Sequence, residues 1–372
     1  MFDQLVQTHQ ALERLCQHLQ GEPWIALDTE FVRERTYYAR FCLIQLATPS
    51  LVACIDPLAL ESLEPLLQPL YAPEIVKVLH AARQDLELFY DLQGTPPTPV
   101  HDTQVAAALL GYQDQISYAS LVQDLLGTRL EKHYTRTDWS RRPLSAAQLR
   151  YAEDDVRYLR DLYPLLMQKL AAQGRDEWLA EECARLTDTR LYQNDPDTAY
   201  ARIKQRHTLP PAGQQVLRAL ARWRELTAQQ LNRPRTWIMR DAELLELARQ
   251  QPRSEGKLAA ISAVTHSNAK KWGATLVAEI AKAVSLTPTK LWHVSPPLNA
   301  RQLLLYERMH KLVRTRARER QLSPTLIASR KDLQALVRGE SADALLAGWR
   351  RAVVGEELLA MREAELPCAG TS

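Results

Sequence analysis

Asp28 and Glu30 stand in W-I-A-L-D-T-E-F, Asp85 in V-L-H-A-A-R-Q-D, and Tyr151 and Asp155 in Y-A-E-D-D. Four carboxylates of this kind supply the hard oxygen ligands that Mg²⁺ and Mn²⁺ prefer. A pair of such ions, roughly 3.5–4 Å apart, can stabilise both the attacking and the leaving oxygen of a phosphodiester under hydrolysis. Asp28 and Glu30 are two residues apart on a strand pattern, so they share a face. Two like charges there repel and lose hydration, and a divalent cation relieves both. Tyr151 and Asp155 are four residues apart on a helical pattern, so they share a face as well.

Each segment alone has an ordinary explanation. A bare D-x-E carries little information and is usually a solvated strand end. Asp85 opens a helical pattern, where aspartate is most often an N-cap. A tyrosine such as Tyr151 is usually core or rim packing. Asp102, in V-H-D-T, is either a fifth ligand or a helix cap. Glu153 falls away from Tyr151 at helical spacing and is read as solvated, whereas Asp154 is ambiguous.

The elements around these residues divide the 372-residue chain in two. In the first half, Trp24 to Leu27, Phe41 to Ala47, Leu51 to Ile55 and Ile75 to Leu79 read as strands. The turn Thr48-Pro49-Ser50 makes the second and third a hairpin. Helical patterns cover Leu60 to Leu70, Leu86 to Leu92, Thr103 to Leu110 and Leu149 to Leu166. A hairpin followed by alternating strands and helices predicts a mixed sheet covered by helices. Residues 187–211 read as a linker, punctuated by Asn194-Asp195-Pro196-Asp197 and Leu209-Pro210-Pro211.

Beyond it every pattern is helical, and a diverged repeat emerges at an offset of 89 residues. Ile238, Leu244 and Leu247 match Ile327, Leu333 and Leu336. A basic amphipathic helix and a proline precede each copy, with Ser295-Pro296-Pro297 between the copies.

Charge follows the same division. Residues 1–200 hold 18 Lys and Arg against 29 Asp and Glu, a net −11, whereas residues 201–372 hold 29 against 15, a net +14. The basic half can hold a polyanion, and the acidic half needs metal ions before a polyanion approaches. Arg218, Arg222 and Arg224 lie on one helix; Arg308, Lys311, Arg314, Arg316, Arg318 and Arg320 lie on another. Phosphate contacts from Arg314, Arg316, Arg318 and Arg320 are expected to give sequence-tolerant, salt-sensitive binding. The alternative is a solvated face whose stems cover apolar surface. Trp223, Trp237, Trp272, Trp292 and Trp349 could stack on bases, but tryptophan at such positions is more often core.

No apolar run spans a membrane, and the N-terminus lacks a signal-peptide pattern, so a cytoplasmic protein is expected. The five cysteines, Cys16, Cys42, Cys54, Cys183 and Cys368, contain no C-x-x-C pair and read as reduced thiols.

The order D-x-E, a lone Asp about fifty residues on, then Y-x-x-x-D resembles the DEDD exonucleases of the tyrosine subgroup. Further stretches, L-D-T-E-F…F-C-L-I-Q-L-A, H-A-A-R-Q-D-L-E-L-F, H-D-T-Q and T-D-W-S-R-R-P-L-S, resemble the ribonuclease D family in particular. The helical repeats resemble HRDC domains. The pair Glu153-Asp154 departs from the pattern, which has smaller, less charged residues there. The resemblance implies an α/β N-terminal domain, a ribonuclease H-like mixed sheet with flanking helices, over residues 1–186. It implies two all-α HRDC domains at 212–292 and 298–368. It further implies two divalent ions, Mg²⁺ or Mn²⁺. Asp28, Glu30 and Asp155 would hold the ion that activates water, Asp28 would bridge to the second, and Asp85 would support that one through water. Tyr151 would orient the water.

The implied activity is 3′-to-5′ exoribonucleolytic release of nucleoside 5′-monophosphates. The expected partner is RNA with a free 3′ end, transfer RNA precursors foremost, acted on by a monomer without a membrane. A DNA exonuclease is the alternative enzyme, since phosphate chemistry does not sense the 2′-hydroxyl. A binding scaffold with a decayed site is the alternative outside catalysis, and the complete set of five residues argues against it. In a third reading the HRDC pair recruits a protein partner.

Overall fold

A computed structural model describes residues 5–130, 134, 137–287, 291–292 and 295–365. Cys368 falls outside the described residues. The sheet is built from β1 (Leu5–Val6), β2 (Trp24–Val32), β3 (Arg40–Thr48), β4 (Leu51–Ile55), β5 (Val76–Leu79) and β6 (Val100–Asp102), in the order β1-β4-β3-β2-β5-β6. β3 and β4 form the expected hairpin, closed by the Thr48–Leu51 pair. β2, β5 and β6 are parallel neighbours, and β1 runs parallel to β4. The two-residue β1 is too short to show a periodicity, and the sequence reading did not include it.

Helices α1 (His9–Leu19), α2 (Glu64–Tyr71), α3 (Arg83–Gln93), α4 (Thr103–Leu109), α5 (Tyr118–Leu126), α6 (Ala146–Ala172) and α7 (Asp176–Leu186) accompany the sheet. Ile25, Ala26 and Leu27 of β2 and Leu43, Ile44 and Leu46 of β3 are fully buried. Central strands covered on both faces read as continuous apolar runs for this reason. Lys77 interrupts one such run without breaking it. Its fully buried ammonium donates to the carbonyls of Ala72 (2.9 Å), Ile75 (2.6 Å) and Thr98 (2.8 Å).

The remaining helices are α8 (Pro211–Gln230), α9 (Arg235–Ile238), α10 (Asp241–Gln250), α11 (Glu255–Ala259), α12 (His266–Val284), α13 (Ala300–Arg320), α14 (Pro324–Ile327), α15 (Arg330–Arg338), α16 (Gly348–Arg350) and α17 (Glu356–Glu365). They divide between two compact units. One unit joins the sheet region to the segment from Pro297 on; the other comprises Arg33–Arg40 with Tyr192–Pro296.

In the first unit α13 buries Leu305, Met309, Val313 and Ala317 in one core with Leu109, Leu121, Leu162 and Leu166. Trp349 belongs to that core and stacks on Trp178 at 4.7 Å. The segment 298–368, expected to be a domain of its own, therefore shares its core with the sheet region.

Of the expected linker 187–211, the part from Tyr192 on belongs to the second unit and packs into its core. Pro196–Arg202 forms a 3₁₀ turn, and Ala199, Ile203 and Leu209 join the core made by α8, α10 and α12. The prolines and aspartates cap and start turns here. Tyr37 completes this unit: its hydroxyl donates to Glu225 and accepts from Arg235 at 2.8 Å, and the Arg235 guanidinium lies over its ring at 4.6 Å.

Arg224, grouped above with polyanion-binding residues, is buried. It donates to the Met239 carbonyl (3.0 Å) and to Asp241 (2.7 Å). Trp237 is 56 % exposed, against the expectation of a core tryptophan. The matched repeat positions Ile238/Ile327, Leu244/Leu333 and Leu247/Leu336 are all buried, and each set lies on a four-residue helix and the helix after it, α9–α10 and α14–α15, which follow the long helices α8 and α13.

Candidate active site

β2 carries the first two acids. Its ladder to β5 ends at the Ala26–Val78 pair, so Asp28 and Glu30 lie beyond it. That is the carboxyl edge of the parallel strands, where open α/β sheets collect ligands. Ala26 packs in one cluster with Val156 and Leu159 of α6. Strand alternation then turns Asp28 and Glu30 to the α6 side as well. Thr29 turns the other way, and its hydroxyl donates to Asp85 Oδ1 at 2.5 Å.

Asp85 sits in the first turn of α3 and is buried; it is not the N-cap, which is Ala82. The turn that launches α3 places Ala81 in the left-handed region at φ 57°. Asp102 holds that turn. Its Oδ1 accepts from the amides of Ala81 (3.0 Å) and Gln104 (2.8 Å), and its Oδ2 from that of Ala82 (2.9 Å). Of the two readings of Asp102, the structure selects the helix cap, here for α4. Asp102→Ala removes an N-cap and strands two amides of the turn that aims Asp85. A loss of about 2–3 kcal/mol in urea unfolding is expected, with a fall in kcat. A stability change under about 0.5 kcal/mol would contradict this role.

α6 carries the other two residues. Ser145 and Gln148 form a capping box at its start. One and a half turns on, Tyr151 contacts two aromatic rings, Tyr134 at 5.7 Å and Trp139 at 6.2 Å. The segment bearing Trp139 is tied down by Arg142, which donates to both Asp56 oxygens (2.7 and 2.6 Å), to Cys42 O (2.6 Å) and to Trp139 O (2.8 Å). Burial pushes the Asp56 carboxyl up, but the Arg142 and Gln7 bonds outweigh it and hold it below its usual range.

The four acids share one electrostatic neighbourhood. Burial, then Asp155, pushes Asp28 up to about 8. Burial, then Asp28 and Asp85, pushes Glu30 up to about 9. Burial, then Glu30 and Asp154, pushes Asp155 up to about 8. Asp85 is raised well above the carboxylate range by burial and by Asp28. Tyr151 is raised by burial and then by Asp155, Glu30 and Asp28, which keeps its phenol protonated at neutral pH. Asp28, Glu30 and Asp155 still reach solvent in part, so the cleft is open.

A set of hard, mutually repelling oxygens fits a divalent cation. Among the described residues, though, no three His, Cys, Asp or Glu side chains are close enough to share one ion without moving.

Glu153 is buried rather than solvated, at 4 % exposure. It is paired with Arg157 at 3.0 Å, which also bonds Asp154. Thr29, Trp139, Asp56 and Arg142 carry no local signal of a place at the site. Their partners lie 56 residues away for Thr29 and 86 for Arg142, beyond any local spacing rule.

Residues 4–171 match the 3′–5′ exonuclease family, and residues 213–280 match the HRDC domain. Ribonuclease D of Granulibacter bethesdensis is 40 % identical over 98 % of this chain and 94 % of its own. Ribonuclease D of Gluconacetobacter diazotrophicus is 39 % identical over 97 % and 93 %. The chain belongs to the ribonuclease D family.

Among solved structures, Escherichia coli RNase D, an exoribonuclease involved in structured RNA processing, superposes with a TM-score of 0.88 at 33 % identity, covering 99 % of this chain and all of that one. As a ribonuclease D, the chain is a 3′–5′ exoribonuclease, with a mixed-sheet exonuclease domain, an HRDC domain and a helical C-terminal region. No helix among its described residues is long and apolar enough to cross a membrane.

Proposed function

We propose that Asp28, Glu30, Asp85 and Asp155 hold two divalent cations, Mg²⁺ or Mn²⁺, and that Tyr151 orients the hydrolytic water. The observation that carries this reading is the convergence of four carboxylates from β2, α3 and α6, each raising the protonation of another. When bound, the ions would supply charge neutralisation and an acidified water. Asp28, Glu30 and Asp155 would hold the ion that acidifies the water, and Asp28 together with Asp85, which Thr29 fixes, would hold the second. Tyr151, in ring contact with Tyr134 and Trp139, keeps its proton and acts by hydrogen bonding, not as a base. The water oxygen bonds to the terminal phosphorus, the 3′ oxygen of the preceding nucleotide leaves with a proton, and a nucleoside 5′-monophosphate is released.

The substrates proposed are structured RNAs with single-stranded 3′ tails, transfer RNA precursors first. The involvement of the Escherichia coli relative in structured RNA processing supports that class. We assign the C-terminal helices to a second, diverged HRDC-like repeat, on the equivalent buried positions of α9–α10 and α14–α15. The test is a 5′-labelled RNA hairpin with a 3′ tail, beside its DNA twin, in Mg²⁺, Mn²⁺ or EDTA. Metal-dependent shortening from the 3′ end of RNA and not of DNA supports the reading. Equal trimming of DNA moves it to a general exonuclease, and trimming that persists in EDTA removes the metals.

The basic face of α13 is the proposed RNA contact, in modified form. Arg316 is engaged by Glu319 (2.7 Å) and Glu357 (2.8 Å), and Arg308 by Glu365. Lys311, Arg314 and Arg318 are exposed and, among the described residues, enter no ion pair. With Glu307, His310 and Thr315 they line a depression of about 400 Å³ in which the cations outnumber the one acid. Replacing Lys311, Arg314 and Arg318 by alanine is expected to weaken RNA binding and flatten the plot of log K against log salt by about two to three units. Arg316→Ala is expected to leave that slope unchanged; the reverse pattern in filter binding would contradict the assignment.

A further inference from the structure

Gln45, in the middle of β3, is fully buried, and neither atom of its amide has a hydrogen-bond partner in the protein. A buried amide that no protein group meets gains nothing for the fold from its neighbours, and an apolar side chain of similar volume would serve packing at least as well. A polar residue kept there calls for an account in terms of function.

The neighbours of Gln45 say where the amide points. Leu43, Gln45 and Ala47 alternate onto one face of β3. Ala47 and its cross-strand partner Val52 pack with Val156 and Leu159 of α6. Leu43, and Cys54 opposite Gln45, pack with Ala152 of α6. The amide therefore lies beneath the turn of α6 between Ala152 and Val156, the turn that bears Glu153, Asp154 and Asp155. After burial, the groups that push the Cys54 thiol up are Glu153 and Asp155, which places both acids beside this spot. Asp28 and Glu30 occupy the same face of the sheet on the adjacent strand β2.

Glu153 and Asp154 already have a cationic partner in Arg157. Asp155 has no hydrogen-bond or ion-pair partner among the described residues. A buried amide with free donors thus underlies a carboxylate with free acceptors, on the helix that delivers Tyr151.

We propose that Gln45 is a positioning residue: its amide, through an ordered water, holds the Asp155 carboxylate turned toward Asp28 and Glu30. The role rests on the assignment of Asp155 to the reaction given above. An amide suits the task because it donates without adding charge; a lysine would neutralise the carboxylate and compete with a cation. Supports of this kind behind a ligand typically carry about 10- to 100-fold in metal affinity or activity.

The experiment uses the full chain and the variants Gln45→Leu, Gln45→Met and Asp155→Asn, with the Gln45→Leu/Asp155→Asn double variant. Three quantities are measured: the thermal midpoint without metal, the Mn²⁺ dissociation constant by calorimetry, and kcat and KM on the tailed RNA. Both Gln45 variants are expected to melt at or above the wild-type midpoint. Their Mn²⁺ binding should weaken and kcat fall, each by about tenfold or more, with KM unchanged. In the Asp155→Asn background, Gln45→Leu should change Mn²⁺ binding no further.

Wild-type kcat and Mn²⁺ affinity in both variants would overturn the proposal. So would a lower midpoint in both, since that is the signature of an amide serving only the fold. Full activity in Asp155→Asn would instead overturn the site assignment itself, so the two failures are distinguishable.

Discussion

Asp155→Ala is expected to lose about three orders of magnitude or more in kcat on tailed RNA, with the RNA still bound. The figure corresponds to about 4 kcal/mol of transition-state stabilisation. It is large because Asp155 is the one acid of the set that comes from α6, on the same face as Tyr151. Removing it takes away a proposed ligand and also the group that, with burial, raises the protonation of Asp28. Binding should survive because the exposed basic face of α13 belongs to different residues, Lys311, Arg314 and Arg318. The fold should survive as well: relieving like-charge repulsion in a half-buried cluster does not unfold a domain. Single-turnover kinetics beside RNA binding decides the matter. Residual kcat above about a tenth of wild type would remove Asp155 from the machinery.

Divalent cation is expected to stabilise the protein, and to do so more as pH rises. In the folded cleft burial and neighbouring acids push Asp28 and Asp155 up to about 8 and Glu30 up to about 9. In the unfolded chain such groups titrate near 4. Their folded values are raised, so the fold binds these protons more tightly than the unfolded chain does. The associated stability is fully present below about pH 4 and is lost as pH climbs through 8 to 9. A cation competes with those protons and replaces them in neutralising the cluster. At a concentration one hundred times its dissociation constant it contributes about 2.7 kcal/mol. For a unit of this size that is a rise of roughly 5–10 °C in melting temperature. Melting curves from pH 5 to pH 9, in EDTA and in saturating Mn²⁺, should therefore diverge toward high pH. Curves that stay parallel, or a gain that persists in an Asp28→Asn/Asp155→Asn variant, would place the cation elsewhere.

Much of this protein was legible from its residues because the relevant patterns are local. The apolar run Trp24 to Leu27, the Thr48-Pro49-Ser50 turn and the four-residue step from Tyr151 to Asp155 each depend on backbone geometry within one element. The sequence therefore determined the hairpin, the strands β2 to β5, the helices α2, α3, α4 and α6, and the face shared by each pair of chemical groups, but not β1, α1, α5 or α7. It also determined the split between an acidic and a basic half, which depends on composition alone.

Tertiary structure decided what depends on distant partners. Spacing left Asp102 open between ligand and cap, and its bonds to Ala81 and Ala82 across 21 and 20 residues settled it. Glu153 reads as solvated from its helical angle, yet Arg157 and the packing above β4 bury it. Four alternating arginines look equivalent along α13, but helical geometry sends Arg316 to Glu357 and leaves Arg314 and Arg318 exposed. Residues 187–211 look like linker because prolines and aspartates punctuate them, and only the core formed with α8 shows them folded. Gln45 is the extreme case: nothing in F-C-L-I-Q-L-A marks one polar residue as exceptional until the helix that covers it, and the acid on that helix, are in place.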